Sequence, residues 1–164
     1  VLSIVYTDDP DPFAGRTFQR ALAARFRGIR QATLDARACP AQLDSLAAAA
    51  DSADVVLFSP FVRVVAWKGD VAIAQPVAET VRRIAARRPT VVTSFGNPYV
   101  LAQFPEVGTY VLAWGDEDVA QRAAARALTG EAPVTGRLPI SIPPHHALGE
   151  GIRIERPAAA GDRP

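Results

Sequence analysis

Few side chains in this 164-residue sequence are equipped for chemistry, and they are scattered. Asp8, Asp9 and Asp11 crowd one stretch, Asp8-Asp9-Pro10-Asp11-Pro12, directly after an apolar run. Carboxylates this close can contact a polar ligand or a neighbouring domain, yet Asp and Pro at such density are also what a tight turn requires. Arg63, Lys68 and Asp70 share the least regular stretch, residues 60–75, where a cationic head group could meet carboxyl or hydroxyl groups or make surface ion pairs. His145 and His146 are adjacent, and the sequence has only these two histidines and one cysteine, Cys39. Side chains next to each other rarely converge on one ion, so a solvated loop is expected there and no metal. Ser94 has no His–Asp partners to activate it as a nucleophile.

The elements that must position these residues alternate between strand and helix. Residues 1–6 (VLSIVY) form a short apolar, β-branched run. Ala14, Phe18, Leu22 and Phe26 recur every fourth residue with Ala21 beside them, giving one helix face that Gly28 ends. A weaker strand spans 29–34. Pro40 suits a first helical position, and Leu43, Leu46, Ala47 and Ala50 make that helix's buried stripe. The continuous apolar run at 54–59 predicts a central parallel strand covered on both faces. Pro76 opens a third helix, with Val77, Val81, Ile84 and Ala85 facing inward. Strands are expected at 90–95 and 107–113. Between them Asn97 caps a short helix that begins at Pro98 and that Pro105 closes. Asp116 is expected to cap the last helix, with Glu117 and Asp118 adding favourable charge at its N-terminus. Gly130 is placed for a left-handed C-terminal cap. A short edge strand is expected at 138–142, the domain spans 1–157, and 158–164 reads as a tail or linker.

This alternation predicts an α/β fold: a three-layer α/β/α sandwich on a mostly parallel sheet of five to six strands, in the flavodoxin-like order 2-1-3-4-5. The predicted core includes Ile4, Val56, Leu57, Val91, Val92, Val111 and Leu112. Ligands of such sheets lie beyond the carboxyl ends of the strands. The segments lining that edge would be 7–12, 60–70, 96–99 and 114–116, the last carrying Trp114.

Composition narrows the function further. Eighteen Lys+Arg against seventeen Asp+Glu leave a formal charge of +1, without the basic excess of a nucleic-acid binder. Arg82, Arg83, Arg87 and Arg88 ride one helix and its end as a solvated face. No apolar run approaches the roughly 20 residues that span a bilayer. A dinucleotide site needs a glycine-rich turn after the first strand, but TDDPDPFAG is acidic where a pyrophosphate would lie. A phosphorelay receiver needs an Asp after the third strand and a Lys after the fifth, where Ser59-Pro60 and Trp114-Gly115 stand instead. The sequence opens at Val1 directly on a strand, as an excised piece of a larger protein would.

The second half carries an ordered string, VVTSFGNPYVLAQFP (91–105) and then YVLAWGDEDVAQRAAARALTGEAPVTGRLPISIP (110–143), finishing on Gly149-Glu150-Gly151-Ile152. This string resembles the C-terminal domain of family 3 glycoside hydrolases, where an SFG-x-PY turn follows a core strand and ALxGExPxxGrLPvSIP closes the domain. The resemblance is strong over 88–152 and weaker in residues over 1–87. Each element also has a local reason: Gly96 lets the backbone turn sharply, Asn97 caps, Pro98 fixes a φ angle, and Tyr99 packs a ring whose hydroxyl can reach a polar partner.

The resemblance implies retaining cleavage of β-linked sugars by a carboxylate nucleophile and a separate proton donor. It places the nucleophile on a preceding (β/α)₈ barrel that nothing in this sequence matches. In the β-glucosidase branch the proton donor is a Glu on an acidic, glycine-rich loop of this domain. Here Glu79 and Glu117 read as helical, Glu106 follows a short helix, Glu131 lies in the GEAP turn, and the loop 62–73 offers only Asp70. The resemblance therefore points to the β-N-acetylglucosaminidase branch, whose donor is a His–Asp pair on a barrel loop. This domain would buttress the barrel, face carbohydrate through Arg63, Lys68, Asp70, Asn97, Tyr99, Trp114 and Asp8, hold no catalytic residue, need no cofactor, and be inactive alone. Trp114 could stack on a sugar or pack at the domain boundary.

Overall fold

The computed structural model describes residues 1–64 and 71–156. Five parallel strands, β1 (Leu2–Thr7), β2 (Arg30–Asp35), β3 (Val56–Val62), β4 (Thr90–Gly96) and β5 (Thr109–Leu112), form one sheet in the order β2-β1-β3-β4-β5. Helices α1 (Arg16–Ala23) and α4 (Asp118–Leu128) pack together with the sheet face that carries Val5, Leu57, Phe61 and Phe95. Helices α2 (Pro40–Asp51) and α3 (Gln75–Ala85) cover the opposite face, with Ile4, Tyr6, Val56, Phe58 and Val92. The alternation of Ile4 and Tyr6 against Val5 follows from the two-residue period of a strand. With both faces covered, β1 and β3 are buried along their whole length. On one side Phe61 stacks on Phe95 and Phe18 meets Phe95 edge-on, and on the other Phe58 lies tilted against Tyr6 and edge-on to Phe104. No described helix is long and apolar enough to cross a membrane.

The predicted strand order holds, with local corrections. β3 does not stop at Ser59 but runs through Pro60 to Val62. Pro60 has no N–H to donate, and pairing with β4 lapses at Ser59 and Pro60, then resumes at Phe61↔Phe95, while β1 pairs straight through. Of the expected core, Ile4, Val56, Leu57 and Val92 are buried, but Val91, Val111 and Leu112 are only partly covered. β5 is an edge strand with β4 as its sole neighbour, so its apolar residues gain cover on one side only. The expected strand at 138–142 is absent among the described residues. That segment pairs instead with the chain's own end, through Leu138–Glu150 and Val134–Ile154 backbone bonds of 2.8 Å. Gly130, at φ 73, is the left-handed cap that follows α4. The tail at 158–164 lies outside the described residues.

Candidate functional site

The chain leaves β1 for α1 on one face of the sheet and β3 for α3 on the other, so the switch point of the fold lies between the ends of β1 and β3. After β1, the Thr7 hydroxyl donates to the Asp9 carbonyl at 2.6 Å. The Asp8 carboxylate accepts from the Asp9 amide at 3.0 Å, and that of Asp11 from the Phe13 amide at 2.8 Å. These side-chain turns aim Phe13 outward, 67% exposed, with the Arg16 guanidinium 5.3 Å over its ring. A depression of about 280 Å³ opens beside this loop, among Thr7, Asp11, Thr33, Asp35 and Gln42. One of similar size, about 320 Å³, lies at the opposite end of the sheet among Arg87, Arg88, Pro89 and Gly108. Topology and side-chain chemistry favour the switch point.

After β3, Arg63 reaches across to Asp116, Nε to Oδ2 at 2.5 Å. The bond to Asp116 and then its charge make Arg63 harder to deprotonate, and Asp11 and Asp8 add smaller attractions. One cation is thus surrounded by carboxylates from two loops. Asp116 was expected to cap α4. Glu117 occupies that position, without a side-chain bond, while the Asp116 carbonyl accepts from Gln121 Nε2 at 2.7 Å. The Gln121 Oε1 takes the Phe18 amide at 2.9 Å, tying α4 to α1.

After β4 comes the SFGNPY turn. Gly96 has φ 123, and a Cβ there would stand 2.3 Å from the Val62 carbonyl oxygen. Asn97 is buried: its Oδ1 accepts from the Tyr99 amide at 2.9 Å, capping the 3₁₀ helix Pro98–Gln103, and its Nδ2 donates to the Val71 carbonyl at 2.7 Å. Asn97, one of the residues expected to face substrate or barrel, is thus engaged through both side-chain amide atoms inside the domain, where it braces two loops. Gln103 makes two 2.8 Å bonds to the backbone of Ile73, and the Tyr6 hydroxyl accepts from the Ala74 amide at 3.1 Å. Together they clamp the strand-to-helix connection where it rejoins the body. Tyr110 donates to the Pro98 carbonyl at 3.0 Å, and burial raises its phenol well above the ordinary range, keeping it a neutral donor. Tyr99 itself is half exposed.

After β5, Trp114 has φ 65, a region that for a bulky side chain costs about 1–3 kcal/mol. Its indole is 43% exposed. The carboxyl edge thus gathers Asp8, Arg63, Tyr99 and Trp114 of the expected residues, joined by Asp11, Asp116, Phe13 and Val64. The last two carry no sequence signal beyond being apolar residues in turns. Lys68 and Asp70, with the loop tip at 67–70, lie outside the described residues.

The remaining chemical candidates lie in ordinary contacts. His146 Nδ1 is 2.9 Å from Glu150, and no metal-holding group of His, Cys, Asp or Glu exists among the described residues. Glu79 accepts from Gln75 at 2.9 Å. Glu131 is paired with Arg25, which holds its carboxyl below the usual range. Glu106 is exposed before β5, and Glu117 is exposed at the start of α4. The Ser94 hydroxyl donates to the Asn97 carbonyl at 2.8 Å.

Comparison with known proteins bears on this edge. The sequence model described as the glycosyl hydrolase family 3 C-terminal domain matches residues 12–156. A "Beta-N-acetylglucosaminidase/beta-glucosidase" of Cellulomonas fimi is 36% identical over 67 residues, 41% of this chain and 12% of that protein. A fungal multi-domain family 3 β-N-acetylglucosaminidase superposes over 92% of this chain and 16% of its own, at TM-score 0.70 and 23% identity. A β-glucosidase from Listeria innocua in complex with isofagomine covers 87% of this chain and 23% of its own, at TM-score 0.68 and 19% identity. A family 3 β-N-acetylglucosaminidase from Paenibacillus sp. covers 79% and 25%, at TM-score 0.62 and 17% identity. The chain therefore spans between about an eighth and a quarter of the length of these relatives.

Proposed function

Because this chain belongs to the glycosyl hydrolase family 3 C-terminal domains, we propose that it serves a retaining glycosidase of the β-N-acetylglucosaminidase type. In that role it packs its carboxyl sheet edge against a (β/α)₈ barrel of the same polypeptide. The barrel supplies nucleophile and proton donor, while this domain walls the sugar site with Arg63, Asp8 and Tyr99. The SFGNPY turn, which resembles that branch, and the 36% identity to a "Beta-N-acetylglucosaminidase/beta-glucosidase" of Cellulomonas fimi support the reading.

The observation that carries this reading is the make-up of the edge. A retaining site needs a nucleophile and a donor flanking one bond, about 5–5.5 Å apart when both are carboxyls. The described edge offers Asp8 and Asp11 engaged in turns, and Asp116 engaged by Arg63. Asp116 is taken up in an ion pair with the Arg63 guanidinium. Among the described residues the edge has the aromatic and charged groups of a wall and no assembled catalytic pair.

The test is hydrolysis of aryl β-N-acetylglucosaminide and aryl β-glucoside by the full polypeptide and by residues 1–164 alone. The full protein should turn over the first substrate faster, and the isolated chain neither. Robust turnover by the isolated chain, freed of contaminating enzyme, would overturn this division of labour.

A further inference from the structure

Trp114 sits in a backbone conformation made for glycine, and the sequence puts the glycine one residue later. The Gly115 amide donates to the Ala113 carbonyl at 2.8 Å across Trp114, whose φ is 65. An i to i+2 bond with positive φ at the central residue is the strained form of the γ-turn. Among the described residues every other positive φ belongs to a glycine. The turn is held from both sides. The Ala113 amide donates to Ser94 in β4 at 2.9 Å, while Arg63 and Gln121 fasten Asp116.

Strain of this kind persists where its surroundings over-determine it, and it concentrates at functional positions. A glycine at 114 would make the same turn without strain, so the indole has a use that the fold does not require. Its neighbours along the edge indicate that use. Phe13, Val64, Tyr99 and Val119, on the loops and helix start that share this edge, are all at least half exposed. Among the described residues of this edge, Arg63 and Asp116 bond each other and the Asp8 and Asp11 carboxylates accept bonds within their own turn, so exposed apolar groups make up much of its open surface. Exposed aliphatic groups around Trp, Tyr and Arg are the composition of a protein contact. In the solved relatives this fold makes up only 16–25% of the polypeptide, which leaves further chain in which such a partner lies on the reading above.

We propose that Trp114 is the anchor on which this domain seats against a second domain of its own polypeptide, the strained γ-turn holding the indole ready. This rests on the reading above that a barrel shares the polypeptide. The test uses the full-length protein with Trp114→Gly, and with Trp114→Asn, which tolerates positive φ, in case the glycine variant folds poorly. Three readouts are followed: hydroxyl-radical labelling of the wild-type indole, the number of thermal transitions, and the rate of proteolytic separation of the domains. The expected result is an indole shielded from label in the wild type. In both variants one thermal transition should split into two, and domain separation should run about tenfold faster or more. A wild-type indole that labels as freely as in denatured protein overturns the proposal. So does a rise in KM with the single transition intact, which would assign the indole to substrate. If the transition splits but the full protein cleaves no glycoside, the docking stands and the glycosidase reading falls.

Discussion

The two ends of the sheet are built from the same strands and differ in what they expose. At the amino end, backbone bonds run on past the strands, from Leu2 to Val55, Arg30 to Val1 and Val56 to Pro89, all within 3.0 Å. The surface there is turns and arginines: Arg87 pairs with Asp51, and Arg88 reaches the Asp51 carbonyl. At the carboxyl end the chain is forced into positive φ at Gly96 and Trp114, buries Asn97, and leaves Phe13, Val64, Tyr99 and Trp114 in water. A protein with no partner at that end would gain by burying those rings and relaxing that turn. The contrast fits the proposal that the carboxyl edge is the working surface, while the amino edge is closed by its own turns and ion pairs.

The sharpest way to break this contrast is Gly96→Ala. It combines a positive φ with a Cβ 2.3 Å from a backbone carbonyl that cannot swing aside, so a loss of about 2 kcal/mol or more is expected. Gly108→Ala is its counterpart at the amino edge, where a Cβ meets nothing within 4 Å, and it should leave the urea midpoint nearly unchanged. Equal midpoints for the two variants would remove the asymmetry.

Asn97→Ala comes next. It deletes the cap on Tyr99 and leaves the Val71 carbonyl without that donor, for an expected loss of about 0.5–2 kcal/mol. Denaturant melts reporting no change would mean that the turn is held by Gly96 and Pro98 alone.

Arg63→Ala against Arg87→Ala separates function from stability. Both arginines are more than half exposed and ion-paired, so neither should move the melting temperature much. In the full enzyme Arg63→Ala should lower kcat/KM by about three- to tenfold, and Arg87→Ala should not. Identical kinetics would confine the carboxyl edge to scaffolding.

The smallest effect belongs to acid pH. Bonds to Arg37 hold the Asp35 carboxyl below its ordinary range, Arg25 does so for Glu131, and the Ala147 amide followed by His146 does so for Glu150. A depressed carboxylate contributes stability that is present above its unfolded value, near 4, and lost as pH falls through its folded value. Glu150 is exposed and Asp35 and Glu131 are partly so, all within reach of solvent screening, so the melting temperature should drift down only gently below about pH 4. A steep collapse there would reveal a stronger buried pair than these.

Much of the fold is legible without coordinates because it depends on short-range pattern. The four-residue recurrence of Phe18 and Leu22, the apolar runs of β1 and β3, and Pro40 at a helix start are local facts with local consequences. The family string, too, is local: Gly96-Asn97-Pro98 encodes a turn, a cap and a fixed φ, all of which the structure contains. What the pattern misses is decided between residues far apart. Asp116 looks like a helix cap, but Arg63, 53 residues earlier, competes for its carboxylate. Val111 and Leu112 look like core, but burial depends on whether a strand has a neighbour on each side, and β5 has one. Pro60 looks like a strand stop, but pairing with β1 carries β3 past it. The sequence alone therefore determined the order of the elements and the family, since periodicity and turn chemistry act within a few residues. Only the tertiary structure decided which side chains of the carboxyl edge are exposed and where its backbone is strained, because both are properties of loops brought together from across the chain.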